Sequence, residues 1–130
     1  MTSDGSAIVR LQRALANERC SAMQIRALIA ELPGPVGLED ALAILLALLD
    51  REPDSFSRMA ARWGSRLTLE HKLTLGDAQL TLAALEVLPS PSARAGAEAL
   101  IELSDRYGLR RVDALLVGWL ERRGIGSADE

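Results

Sequence analysis

Apolar residues recur along this chain at intervals of three and four, and polar or proline-rich breaks divide the pattern into about seven helical segments. The first runs from about Ala7 to Arg19, with Ile8, Leu11 and Leu15 on one face. Ser21 stands three residues before Gln24, the spacing at which an N-cap hydroxyl and an N3 side chain satisfy each other's backbone N–H groups. A second helix follows to Glu31, with Ile25, Leu28, Ile29 and Leu32 as its stripe. Pro33-Gly34-Pro35 ends it, because proline lacks the N–H of the ladder and biases the preceding residue away from the helical region. The third starts near Leu38, where Glu39 and Asp40 suit the positive end of a helix dipole. From Ala41 to Leu49 it is apolar on every side, which predicts a central, enclosed helix.

Pro53 and Asp54 open a fourth helix, whose stripe is Phe56, Met59, Ala60, Trp63 and Leu67 and which fades between Gly64 and Lys72. Leu67-Thr68-Leu69 and Leu73-Thr74-Leu75 alternate with period two, so a short hairpin competes with helix there, although an isolated hairpin is marginal. Thr74 reads as the cap of a fifth helix, with Asp77 at the capping-box position and an end near Val87. Ser90 and Pro91 read as N-cap and N1 of a sixth, closed at Tyr107-Gly108 by a glycine cap. The seventh buries Val112, Leu115, Leu116, Trp119 and Leu120, and Gly124 and Gly126 mark a frayed tail.

Several of these features return 56 residues later. Leu32-Pro33-Gly34-Pro35 comes back as Leu88-Pro89-Ser90-Pro91, and Trp63 as Trp119. Ala22, Ala27, Ala41, Ala43 and Arg66 match Ala78, Ala83, Ala97, Ala99 and Arg122 at the same offset. The expectation is two tandem three-helix units, residues 21–72 and 73–124, with an N-terminal helix in 1–20 and a tail in 125–130. Each unit is too small to bury its own apolar faces, so the two should share one core. Connections this short favour antiparallel neighbours. Composition agrees: 24 leucines and 20 alanines against 11 valines and isoleucines and four aromatics favour helix over sheet. At 130 residues the chain reads as a single all-α domain.

The net charge of −3 argues against a general polyanion binder. Its distribution repeats: 37–57 carries −4, 58–72 carries +3, 73–105 carries −4 and 106–123 carries +3. The third helix of each unit is therefore basic and follows an acidic stretch. Arg58, Arg62 and Arg66, spaced by four, share one helical face. Arg110 and Arg111 stand near the start of the seventh helix, and Arg122 and Arg123 at its end. Three uses fit these arginines: pairing with nearby carboxylates, complementing an acidic partner surface, or binding a phosphate backbone.

Chemistry is sparse. A single Cys20 excludes an internal disulfide and a cysteine-based zinc site, and reads as a packing residue. His71, the one histidine, lies between Glu70 and Lys72 with no serine or cysteine constellation beside it, which suits a solvated helix end better than a general base. Gly124-x-Gly126 follows no strand, so it lacks a phosphate-loop context. Trp63 and Trp119 sit on apolar stripes and read as core anchors. No metal or cofactor site is expected.

Met1 to Ser6 is polar and lacks a basic and an apolar region of signal-peptide type, and the longest apolar run, Ala41 to Leu49, is too short to span a bilayer. The sequence thus predicts a cytoplasmic, non-enzymatic helical interaction module, an adaptor, regulator, inhibitor or small assembly subunit, with a protein partner that could be the chain itself. The alternative is a small nucleic-acid-binding subunit with an arginine strip on the fourth and seventh helices. The residues expected to bind a partner are Arg58, Arg62, Arg66, Arg110, Arg111, Arg122 and Arg123.

Overall fold

The computed structural model describes residues 3–124, and among them it has seven α-helices and no strand. They are α1 (Ser3–Ala16), α2 (Ala22–Ala30), α3 (Leu38–Arg51), α4 (Phe56–His71), α5 (Leu75–Val87), α6 (Ala93–Arg106) and α7 (Arg110–Arg122). A 3₁₀ turn, Pro53–Ser55, leads into α4. The predicted tail 125–130 lies outside the described residues.

The capping box of α2 is complete: Ser21 Oγ accepts from Gln24 N–H at 3.1 Å, and Gln24 Oε1 accepts from Ser21 N–H at 2.8 Å. At α5 only half of the predicted box forms. Thr74 Oγ1 accepts from Asp77 N–H at 3.1 Å, but the Asp77 carboxylate turns to α6 instead, accepting from Tyr107 Oη at 2.6 Å and Arg106 at 2.8 Å. Gly108, at φ +70°, closes α6 as the sequence predicts, with Leu109 N–H donating to Ser104 O at 2.9 Å.

Three sequence expectations are corrected. The hairpin near Leu67–Leu75 is absent: α4 continues to His71 because Leu67 belongs to its buried stripe, while Leu69, which alternation would pair with it, is 78% exposed. Lys72 then takes the left-handed conformation, φ 52°, and Leu73 N–H donates to Thr68 O at 3.1 Å. Secondly, Ser90 does not cap α6, which starts at Ala93. Its hydroxyl donates to Val87 O at 2.7 Å and accepts from Ser92 N–H at 3.0 Å, so it ties the turn to the end of α5. Thirdly, the buried line of α1 is Ala7, Leu11 and Ala14, with Ile8 and Leu15 half-buried at its edges. Small residues let α1 approach its neighbours closely, and that rotates the predicted stripe.

Two apolar clusters meet on α3. The larger joins Leu42, Leu45, Leu46 and Leu49 of α3 to Phe56, Trp63 and Leu67 of α4 and to residues of α5, α6 and α7. The smaller places Ile44, Ala47 and Leu48 against Leu11 and Ala14 of α1 and Ile25 of α2. Because α3 presents leucines and isoleucine to both, it is the enclosed helix that its all-round apolar sequence predicts. α4, α5, α6 and α7 pack in chain order, α7 returns to α3, and α2 packs on α1. The helices that the 56-residue offset would pair begin at Ala22 and Leu75, Leu38 and Ala93, and Phe56 and Arg110, each slightly closer than that offset.

Candidate functional site

The predicted arginines fall into two states. Arg66 Nε donates to Glu70 Oε2 at 3.0 Å, one turn further along α4. Arg123 pairs with Asp50 of α3 at 2.5 Å and covers the Trp119 ring, 4.5 Å from its centroid. Arg111 reaches Asp40 at 3.9 Å, the outer limit of an ion pair. These three take the first of the uses expected from the sequence, pairing with carboxylates of their own chain. Arg58, Arg62, Arg110 and Arg122 are exposed, and no ion pair or hydrogen bond engages their side chains among the described residues.

Arg58 and Arg62 belong to a built surface. Successive turns of α4 place them on one wall of an open groove of about 480 Å³, also lined by Ser55, Ser57, Met59, Asp54 and Arg26. Arg26 of α2 is held by Glu52, whose other partner is Ser55 Oγ at 3.1 Å. The Arg26 guanidinium and then the Ser55 hydroxyl, both bonded to the Glu52 carboxylate, lower its pKa below the usual value. That bond is therefore present at neutral pH and is lost as the pH falls through the lowered pKa. Two free guanidinium forks one turn apart, beside the Ser57 hydroxyl, suit carboxylate or phosphate oxygens. Asp54 on the same rim counts against a long polyanion.

A second groove, of about 490 Å³, runs between α4 and α5 and shares Ser57 with the first. Its lining is mainly apolar, including Ala61, Leu82, Ala83 and Pro89, with Gln79 and Glu86 along α5. Sequence reasoning missed both Arg26 and this α5 surface. The signal was available in α5, whose leucines at 75, 80, 82 and 85 are spread around the helix like those of α3. Among the described residues no neighbour covers the outer side of α5, and Leu75, Leu80 and Leu82 are 76%, 38% and 46% exposed.

The remaining candidates are dispersed. His71 ends α4, half-buried. Cys20 packs at the edge of the smaller cluster. Among the described residues no group of three or more histidines, cysteines or carboxylates could hold a metal ion, and no helix is long and apolar enough to cross a membrane. Across the α6–α7 corner, the Asp105 carboxyl shares a hydrogen bond with Asp113; that bond, with partial burial, raises the Asp113 pKa. This contact stabilises the fold while Asp113 is protonated and is lost as the pH rises through its raised pKa. No family model, curated protein or solved structure matches the chain.

Proposed function

We propose that this chain is a non-enzymatic helical protein–protein interaction module, acting as an adaptor, regulator, inhibitor or small assembly subunit through the arginine face at the start of α4. The observation that carries the reading is the unpaired state of Arg58 and Arg62 beside Arg26, in a groove that meets an apolar one at Ser57. Arginines that only solubilise a surface commonly settle on nearby carboxylates, as Arg66 does with Glu70. Free guanidinium groups next to exposed apolar side chains suit an acidic, partly apolar protein surface. A continuous phosphate-binding strip on α4 and α7 has less support. α3 packs against both helices, Arg123 and Arg111 face carboxylates, and Asp54 flanks the free pair.

The tandem units 21–72 and 73–124 belong to the same proposal, as two copies of a helix triplet presenting a basic third helix. Their support is the paired corners, with Leu32 half-buried and Leu88 buried, and the burial of both tryptophans.

Affinity capture from the source cells tests the functional reading, with the wild-type chain, Arg58→Ala/Arg62→Ala and Arg66→Ala compared on one support. A protein retained by wild type and Arg66→Ala should fall at least about tenfold with the double variant, equivalent to about 1.4 kcal/mol. The same proteins recovered by all three chains would refute the arginine face as the contact. Retention of RNA or DNA instead, lost steeply with salt and with the double variant, would replace this reading by the nucleic-acid one.

A further inference from the structure

We infer that the chain forms an isologous dimer through the outer face of α5, two copies packing antiparallel about Gln79. Lys72, Leu75, Gly76, Gln79, Leu82, Ala83 and Glu86 are all exposed. Their spacing of three and four puts the α5 members on one helical face, with Lys72 in the turn just ahead of it. That face is its own complement when read in reverse. Pairing about Gln79 sets Lys72 against Glu86 of the second copy, Leu75 against Ala83, and Gly76 against Leu82. Opposite charges meet at both ends, and a large residue meets a small one at each inner position.

The surface has the shape this register needs. Leu75 is 76% exposed, the side chain of a knob with no hole on its own chain. Ala83, its counterpart, lines the groove of about 490 Å³ between α4 and α5, walled by Ala61, Leu82 and Gln79. A leucine from the second copy fits this space. Gly76 has nothing within 4 Å of the position its Cβ would take, leaving room for the opposing Leu82. A two-fold contact repeats each of these fits twice without new surface. Antiparallel α5 helices also oppose their dipoles favourably. The Lys72–Glu86 pairs add little energy but fix direction, since a parallel arrangement would set Lys72 beside Lys72 and Glu86 beside Glu86. This contact leaves Arg58 and Arg62 free but fills the apolar groove that meets theirs at Ser57, so the dimer presents the arginine groove alone to the proposed partner.

Size-exclusion chromatography with light scattering on the full chain tests it. A one-helix face is a small interface, so concentrations of about 100 μM are appropriate. Wild type should run at twice the 14.0 kDa chain mass. Leu75→Glu places a carboxylate in the first turn of α5, where the helix dipole favours it, so the variant folds, as its circular dichroism will verify. Its dissociation constant should rise at least about tenfold. Lys72→Glu and Glu86→Lys should each weaken the dimer, and the double swap should restore it. Monomeric wild type at this concentration, an undiminished dimer in Leu75→Glu, or no rescue by the double swap would each overturn the inference. Arg58→Ala/Arg62→Ala should leave the dimer intact. Its dissociation would move self-association to the arginine face and equally overturn the α5 contact.

Discussion

At the residue scale the two tryptophans share a buried setting but not a hydrogen bond. Trp63 and Trp119 are 3% and 1% exposed, so both are core anchors, as their place on apolar stripes predicts. Their polar ends differ. Trp63 Nε1–H donates to Leu38 O at 2.9 Å, whereas Trp119 Nε1–H is buried with no acceptor among the described residues. The residue matching Leu38 at the 56-residue offset is Arg94, and α6 begins with a different turn from α3, so the carbonyl that serves Trp63 has no counterpart. Phenylalanine at 63 loses a buried hydrogen bond, while at 119 it removes a donor that was never satisfied. Both substitutions shrink a packed ring. Trp63→Phe should therefore destabilise the fold by about 1 kcal/mol more than Trp119→Phe. Urea denaturation of the two variants measures this, and equal or reversed losses would show that the indole hydrogen bond contributes nothing.

At the element scale, helix positions were legible because caps and breakers act locally. Ser21 with Gln24, Thr74 before Asp77, and Gly108 after Tyr107 each mark a boundary that the structure keeps within a residue or two. What could not be read was the competition between neighbours for a helix face. α3 and α5 are both apolar around their circumference, yet α3 lies between two clusters while α5 keeps one side bare. Only the packing order decides that. The same limit hid the glycines. Gly96 of α6 faces α5 so closely that a Cβ would lie 2.6 Å from Ala84 O and 2.5 Å from Val87 Cγ2. A Cβ on Gly64 would meet Leu82 Cδ2 at 2.9 Å, the end of a half-exposed side chain that can rotate away. Alanine should raise helix propensity at both positions by roughly 0.5–1 kcal/mol. At Gly96 overpacking against backbone should dominate, for a net loss of about 1–3 kcal/mol, whereas Gly64→Ala should stay within about 1 kcal/mol of wild type. Thermal melts of the pair separate these outcomes, and a stable Gly96→Ala would mean that α5 and α6 can part without cost.

At the scale of the whole molecule, charge organises the joints as well as the surface. The arginine-rich segments were visible in the sequence, but their partners lie far along the chain: Asp50 for Arg123 and Glu52 for Arg26. Segment sums cannot distinguish a cation that ties helices together from one left free. Arg51 is the clearest case of the former. Its guanidinium donates to the carbonyls of Cys20 and Asn17 in the α1–α2 connection and to Ala47 O on its own helix. Together with Ile44, Ala47 and Leu48 it fastens the α1–α2 pair to the five helices α3–α7. That pair buries few large side chains, chiefly Leu11 and Ile25, so it should open below the global unfolding free energy. Arg51→Met keeps much of the aliphatic stem but removes all three donors, a loss of about 2–3 kcal/mol from hydrogen bonds made by a charged group. In native-state hydrogen exchange the amides of α1 and α2 should then exchange at least about tenfold faster, a change of about 1.4 kcal/mol or more, with those of α5 and α6 unchanged. If all seven helices accelerated together, α1 and α2 would belong to one cooperative unit with the rest, and the division of the core at α3 would carry no energetic meaning.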